Sequence, residues 1–214
     1  MSLSCSLLPD LKATGPLTIF DGNIIVGLDC ETSARSLVDG GRLIQFGLSY
    51  YDGVGGYNLL SEYVRWDSMK WEDQAEGIHN ISKEMLLDMR YANDIDESLY
   101  KFIKPLNDSG LNLIAAGYNV GSFDLPFFHH AFPETMRLFS HRVVDLNSIC
   151  FILDSVNGVS AKTHPTPFKS ILKEYSNDLI QSHLPNLDPH DAGYDALEAI
   201  FSITYIQRYL SPLL

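Results

Sequence analysis

The sequence has few cysteines and lacks any long apolar run. Its three cysteines, Cys5, Cys30 and Cys150, are widely spaced and form no Cys-x-x-Cys pair. This pattern argues against a disulfide framework and a zinc site, so we expect reduced thiols and a cytoplasmic location. No stretch approaches the roughly 18 apolar residues that a membrane span needs. The apolar stretch from Ser4 to Leu8 is too short for a secretory signal and has no basic flank. We therefore expect no membrane partner.

Positive charge is also scarce. The chain has 15 Lys and Arg against 27 Asp and Glu, which gives a formal charge of −12. Such a balance argues against wrapping a long polyanion. It does not exclude an enzyme that holds only the last few nucleotides through metal ions. Two bound Mg²⁺ would add four positive charges and place them where a phosphate binds.

The chain has the size and composition of one globular domain. It contains 214 residues, of which 45% are hydrophobic, so it is long enough to bury a sizeable core. Residues 1–22 have no clear period and are expected to be an irregular lead-in to a single domain spanning 1–214. Short β-branched runs come first and then alternate with helical patterns, which predicts an α/β fold with a mixed sheet covered by helices. Strands are expected over 24–32, 43–51, 56–64, 111–118 and 142–146, with a hairpin across 52–55. The expected helices include 94–106, with Asp94 as its N-cap, 168–175 and 191–210.

The first predicted strand ends in two acids, Asp29 and Glu31. Side chains alternate along a strand, so both carboxylates point to one face. They repel each other unless something positive lies between them, and a divalent cation that prefers oxygen ligands, Mg²⁺ or Mn²⁺, would satisfy both. A solvated acidic pair at a strand end is the alternative.

A second acidic element contains Asp124, which follows the buried strand 111–118 and opens a helix. Ligands of open α/β sheets gather at the carboxyl ends of the strands. The helix dipole stabilises an anion at this position, whether it is the carboxylate or a substrate phosphate. Alternatively, Asp124 is an ordinary acid in a first helical turn.

A third element contains His190 and Asp195, which are separated by four residues. Asp191 is a good N-cap, so the last helix is expected to start there and to fix Asp195 one turn in. His190 would then lie on the preceding loop, where an imidazole suits the role of a general base near neutral pH. A surface histidine without a catalytic role is the alternative.

Taken together and in this order, these elements resemble the DEDD superfamily of 3′→5′ exonucleases. The matching motifs are Asp-x-Glu, Asn-x-x-x-Phe-Asp and His-x-x-x-x-Asp, and the histidine marks the histidine subtype, to which ribonuclease T and the DNA polymerase III epsilon subunit belong. The segment from Gly77 to Ile81 is similar to the family's Ile-His-Gly-Ile segment, and 141–145 to its strand ending in Asp. The resemblance runs from about residue 23 to 209. It implies a ribonuclease H-like fold with a five-stranded mixed sheet flanked by helices.

The resemblance also implies a set of functional residues and a cofactor. Asp29, Glu31 and Asp195 would hold one divalent metal, and Asp29 would bridge to a second that Asp124 approaches. The ions would be two Mg²⁺ or Mn²⁺ per active site, with His190 as the general base. The expected activity is release of nucleoside monophosphates from single-stranded 3′ ends of DNA or RNA. Expected substrate contacts are Thr32 and Ser33 at the terminal sugar, Asn119 beneath Asp124, and Phe123 or Phe127 on a base, although a core role is equally compatible with either phenylalanine.

The sequence departs from the family after Glu31, where Thr-Ser-Ala-Arg-Ser replaces a more apolar stretch, so recognition of the 3′ end is expected to differ. Basic candidates for the mouth of the site are few: Arg35, Lys162, Lys169 and Lys173. The acidic charge also motivates a second hypothesis, a catalytically idle nucleic-acid-processing adaptor with the same fold. A third is another phosphodiesterase that cleaves dinucleotides. The sequence does not distinguish an isolated chain from a homodimer or a larger processing complex.

Overall fold

A mixed β-sheet organises the computed structural model, which describes residues 5–8, 22–51, 56–158 and 166–210. The strands are β1 Cys5–Leu8, β2 Asn23–Thr32, β3 Leu43–Tyr51, β4 Tyr57–Arg65, β5 Arg90–Tyr91, β6 Asn112–Gly117 and β7 Phe139–Asp145. Six of them lie in the order β1-β4-β3-β2-β6-β7. The strands β1, β4, β3 and β2 pair antiparallel, whereas β2, β6 and β7 pair parallel. The two-residue strand β5 pairs with the end of β4.

This sheet confirms the α/β class and differs from the expectation in its number of strands. The five expected strands are β2, β3, β4, β6 and β7, and each lies within a few residues of its predicted range. The additional edge strand, β1, comes from the segment expected to be irregular, because its residues pair with Tyr57 to Leu60 of β4. The expected hairpin turn over 52–55 lies outside the described residues, but β3 and β4 pair antiparallel as a hairpin requires.

Helices cover both faces of the sheet. They are α1 Asp73–His79, α2 Ala92–Asp108, α3 Asp124–Ala131, α4 Pro133–Met136, α5 Leu146–Val156, α6 Pro167–His183 and α7 Ala192–Leu210. The predicted cap at Asp94 is wrong: α2 begins two residues earlier, because Arg90 and Tyr91 enter the sheet directly before it. The helix expected over 168–175 continues to His183. None of the described helices is long and apolar enough to cross a membrane.

The two faces of β2 serve two different cores. Val26, Leu28 and Cys30 pack into the cluster that includes Phe128 and Phe132. Ile25 belongs to the second cluster, which contains residues of α5, α6 and α7. Since side chains alternate along a strand, the odd-numbered residues of β2, among them Asp29 and Glu31, lie on the face that α7 covers.

Candidate active site

The helix α7 approaches the sheet at two strand glycines. A Cβ added to Gly27 would lie 2.9 Å from Ile200 Cγ1 and still closer to the carbonyl oxygen of Ala196. A Cβ added to Gly47 would lie 2.6 Å from the backbone nitrogen of Gly193 and still closer to the carbonyl of Ala192. Only glycine fits such a close helix–strand contact, and the contact brings the first turns of α7 onto β2 and β3. This role of the two glycines was not predicted from the sequence, although a glycine inside a strand pattern is a signal for a close backbone contact.

A buried glutamine fixes the start of α7. Gln45 is 2% exposed and lies opposite Glu31 on β3. Its Nε2 donates to Asp191 Oδ2 at 2.6 Å, and its Oε1 accepts from the Ala192 amide at 3.3 Å. Asp191 Oδ1 accepts from the Gly193 amide at 2.8 Å, which confirms the predicted N-cap. Sequence analysis did not identify Gln45, because the contact joins residues 146 apart.

This anchored corner positions His190 and Asp195. His190 directly precedes the cap, is exposed and has a φ of 66°, a left-handed conformation that is uncommon for a residue with a side chain. Asp195 lies in the first turn of α7. One ligand atom each from Glu31, His190 and Asp195 lies within 4.8 Å of the others. The last helix therefore brings its histidine and its acid to the end of β2.

Asp124 reaches the same place from the opposite face of the sheet. It is the first residue of α3, and its Oδ1 accepts a hydrogen bond from the Cys30 amide at 3.0 Å. Cys30 lies between Asp29 and Glu31, so this bond brings Asp124 to the acidic end of β2. We call Asp29, Glu31, Asp124 and Asp195 the carboxylate cluster. Its four members come from three elements that are remote from one another in sequence.

The electrostatics of the carboxylate cluster favour a bound cation. Burial raises the pKa of Asp29 well above its ordinary range, and the charges of Asp124, Asp195 and Glu31 raise it further. Burial and the same kind of repulsion raise the pKa of Glu31 to about 8. Burial is also the main cause that raises the pKa of Asp124 to about 7 and that of Asp195 to about 6. Buried acids that repel one another bind protons or metal ions readily. Four carboxylates form a donor set that fits Mg²⁺ or Mn²⁺.

Two of the expected substrate contacts, Thr32 and Ser33, are buried. Thr32 and Ser33 are 6% and 0% exposed. The Ser33 hydroxyl accepts from the Arg42 amide at 3.0 Å and so closes the loop after β2. Contact of these two residues with a sugar stays a prediction that their burial does not favour.

The residues expected beneath Asp124 and against a base lie at the start of α3. Asn119 has a φ of 65° and accepts hydrogen bonds from the amides of Ser122 and Phe123, so it orders the turn before Asp124. Phe127 is 3% exposed and belongs to the core. Phe123 is partly buried, with its ring centroid 5.4 Å from that of Phe127.

A fifth acid, Glu198, was missed by sequence analysis. It lies one turn after Asp195 on α7 and is 4% exposed, and its Oε1 has no hydrogen-bond partner among the described residues. Its charge raises the pKa of Asp29. Lys173 Nζ lies 3.7 Å from Glu198 Oε2 and offsets this charge. The i, i+3 spacing from Asp195 was the available signal.

The basic residues expected at the mouth of the site lie in different parts of the structure. Lys169 and Lys173 lie near this site on α6, and the charge of Lys173 lowers the pKa of Asp195. The backbone amide of Arg35 donates to the Glu72 carboxylate at 3.2 Å. Lys162 lies outside the described residues.

Comparison with known proteins gives matches in structure only. No family model matches the sequence, and no curated protein matches it. The RNase domain of the yeast Pop2 protein matches with a TM-score of 0.56 at 14% identity, over 91% of this chain and 80% of that one. The nuclease domain of 3′hExo, a DEDDh family member bound to rAMP, matches with a TM-score of 0.53 at 14% identity, over 89% of this chain and 92% of that one.

Cell-death related nuclease 4 (CRN-4) matches with a TM-score of 0.54 at 17% identity. The match covers 89% of this chain but 64% of CRN-4, so the chain spans less than two thirds of that protein. At identities this low, the matches establish the fold alone. The chain has the ribonuclease H-like α/β fold that these nuclease structures share, as the resemblance of its three acidic motifs implied.

Proposed function

We propose that this chain is a metal-dependent 3′→5′ exonuclease that releases nucleoside monophosphates from single-stranded DNA or RNA. The observation that carries the proposal is the convergence of the carboxylate cluster where β2, α3 and α7 meet. Burying several acids together is costly unless cations bind there. The fold match to a domain with rAMP bound and to an RNase domain supports a nucleic-acid substrate. Residues 1–214 would form a single exonuclease domain.

The cofactor would be two Mg²⁺ or Mn²⁺ ions. Asp29, Glu31 and Asp195 would hold one ion, and Asp29 and Asp124 would hold the other. Bound ions of this kind neutralise a phosphodiester and lower the pKa of water. Their ligands reach the site in a fixed arrangement, because Asp124 is tied to the Cys30 amide and Asp195 belongs to a helix whose start is anchored by Gln45.

His190 would act as the general base. It is exposed on the loop before α7 and lies within reach of Glu31 and Asp195. A neutral imidazole there can accept a proton from the water that attacks the terminal phosphodiester. The bond between phosphorus and the 3′-oxygen of the preceding nucleotide then breaks, which leaves a nucleoside 5′-monophosphate. Thr32, Ser33, Asn119 and Phe123 remain the proposed contacts to the terminal nucleotide.

The experiment is mononucleotide release from 5′-labelled single-stranded DNA and RNA with Mg²⁺ and with Mn²⁺. Wild-type protein should shorten the strand from its 3′ end, and Asp195→Asn should abolish this shortening. Asp178→Asn, an exposed acid on α6, is the matched control and should retain activity. Folded wild-type protein that is inert on both substrates with both metals would refute the proposal and favour the adaptor hypothesis. Release from dinucleotides alone would favour the phosphodiesterase hypothesis.

The expectations of a cytoplasmic location and of a homodimer or larger processing complex stay predictions. Gel filtration of the active protein would test the second.

A further inference from the structure

Two lysines on α6 share one aromatic ring beside the carboxylate cluster. Lys169 and Lys173 are one helical turn apart, and their Nζ atoms lie 4.4 Å and 5.9 Å from the ring centroid of Tyr118. We call them the lysine pair. Tyr118 directly follows β6, and its hydroxyl lies 3.1 Å from Ser202 Oγ on α7. The ring is thus fixed by two elements, and each ammonium gains a cation–π contact on it.

The lysine pair carries more positive charge than its acidic neighbour requires. Lys173 lies 3.7 Å from the buried carboxylate of Glu198. Lys169 donates instead to the neutral Asn147 Oδ1 at 2.8 Å and makes no ion pair with a described residue. Burial lowers the pKa of Lys169, and the charge of Lys173 lowers it further. The charge of Glu198 acts on both lysines, but Glu198 forms an ion pair only with Lys173 among the described residues. One buried acid therefore faces two ammonium groups.

The location of the surplus charge indicates what it binds. Glu198 is one turn from Asp195, and Lys173 is close enough to lower the pKa of Asp195. The Lys173 side chain is 52% exposed, so its ammonium is accessible from solution. In a chain with a net charge of −12, a polyanionic strand needs local positive charge where it enters the site.

We propose that the lysine pair binds a backbone phosphate of the single strand that enters the carboxylate cluster. The phosphate is a phosphodiester other than the one cleaved, and its non-bridging oxygens accept charge-assisted hydrogen bonds from the two ammonium groups. This inference rests on the proposed function, because the same strand must place its 3′ end in the carboxylate cluster. It adds a contact that holds the rest of the strand and carries no sequence preference.

The test is the salt dependence of strand binding. The dissociation constant of a short 5′-labelled single-stranded oligonucleotide is measured between about 50 and 200 mM salt. Ca²⁺ replaces Mg²⁺, and a gel verifies that the strand stays intact. Each phosphate contact contributes about 0.7 to the slope of log K against log salt. Because the two lysines share one phosphate, Lys169→Gln combined with Lys173→Gln should lower that slope by about 0.7 and weaken binding of DNA and RNA alike.

Three variants separate a phosphate contact from a purely structural role. Lys101→Gln removes an exposed lysine paired with Glu97 on α2 and should leave the slope unchanged. Lys173→Arg keeps the charge and should keep the slope. If Lys173→Gln alone unfolds the protein by leaving Glu198 unpaired, Lys173→Gln with Glu198→Gln removes both charges. That double variant, folded by circular dichroism, should still have a lower slope than the wild type, by at most about 0.7.

The outcomes distinguish this inference from the proposed function. A slope that is unchanged in the folded double-lysine variant, or a wild type that does not bind the strand, overturns the inference. If the wild type releases mononucleotides while the lysines leave the slope unaffected, the nuclease assignment stands and the inference fails. A lysine-dependent slope in a wild type without nuclease activity supports the inference and refutes the nuclease assignment.

Discussion

Replacing Gly47 with alanine should separate α7 from the sheet and so disrupt the candidate active site. The new Cβ would lie 2.6 Å from the Gly193 nitrogen and closer still to the Ala192 carbonyl. These are backbone atoms, so no side chain can rotate away. Restoring an ordinary carbon–nitrogen contact requires the start of α7 to move by on the order of 1 Å. Asp195 and His190 would move with it, relative to Asp29 and Glu31 on β2.

The expected effects follow from that displacement. Overpacking of this kind typically costs about 1–3 kcal/mol, which for a chain of this length lowers the unfolding midpoint by roughly 2–12 °C. A misplacement of about 1 Å in a catalytic arrangement can reduce the rate about 100-fold. Affinity for Mn²⁺ should also weaken, because Asp195 is separated from the other proposed ligands. Nuclease rate, Mn²⁺ titration by calorimetry and thermal unfolding measure these three quantities.

Gly77→Ala is the matched control. Gly77 lies in α1, and a Cβ there would meet nothing within 4 Å. Alanine is favoured over glycine in a helix by roughly 0.5–1 kcal/mol, so this variant should keep its activity and its unfolding midpoint or gain stability. If Gly47→Ala matched Gly77→Ala in activity, metal affinity and stability, the close approach of α7 would not be what positions the site.

Three further predictions concern the same region. In metal-free protein the pKa of Glu31 is about 8 and that of Asp124 about 7, so the folded state binds more protons than the unfolded chain from about pH 4 to 8. The free energy of unfolding should therefore fall by several kcal/mol as the pH rises through that window, and saturating Mg²⁺ should reduce this fall. A midpoint of thermal unfolding that rises steadily with pH in EDTA would contradict this prediction. His190→Gln should lower kcat about 10²–10⁴-fold while Mn²⁺ affinity measured by calorimetry is retained; a parallel loss of Mn²⁺ binding would identify a metal ligand instead of a base. Gln45→Met should leave the half-buried Asp191 carboxylate short of a donor. It should destabilise the protein by about 1–3 kcal/mol and lower kcat, whereas Gln74→Met on the exposed face of α1 should change neither stability nor kcat. Equal behaviour of the two variants in unfolding and rate assays would show that Gln45 does not hold the start of α7 in place.

Local patterns in the sequence predicted most of the sheet. The apolar run before Asp29 becomes the central strand β2, and the other expected strands all form. Element boundaries were less accurate, since α2 begins before Asp94 and α6 extends to His183. In both cases the reason is tertiary: pairing of β5 with β4 sets the start of α2, and packing of Leu172 and Ile180 into the second core accompanies the longer α6.

In the candidate site, too, local patterns predicted some features and tertiary contacts set the others. Strand alternation predicted that Asp29 and Glu31 share a face, and helix-capping preferences predicted Asp191 as the start of α7. Neither rule contains the distance between β2 and α7. That distance depends on Gly27 and Gly47, which admit the helix backbone, and on Gln45, which binds Asp191 across a long separation in sequence.

By itself the sequence determined the kinds of elements and the residue types at their ends, because both arise from interactions within a few residues. Only the tertiary structure decided that Asp124 meets Cys30, that the buried Glu198 lies beside Asp195, and that Lys169 and Lys173 share the ring of Tyr118. These contacts depend on how closely two layers pack, and packing is a property of the folded chain that periodicity and spacing do not encode.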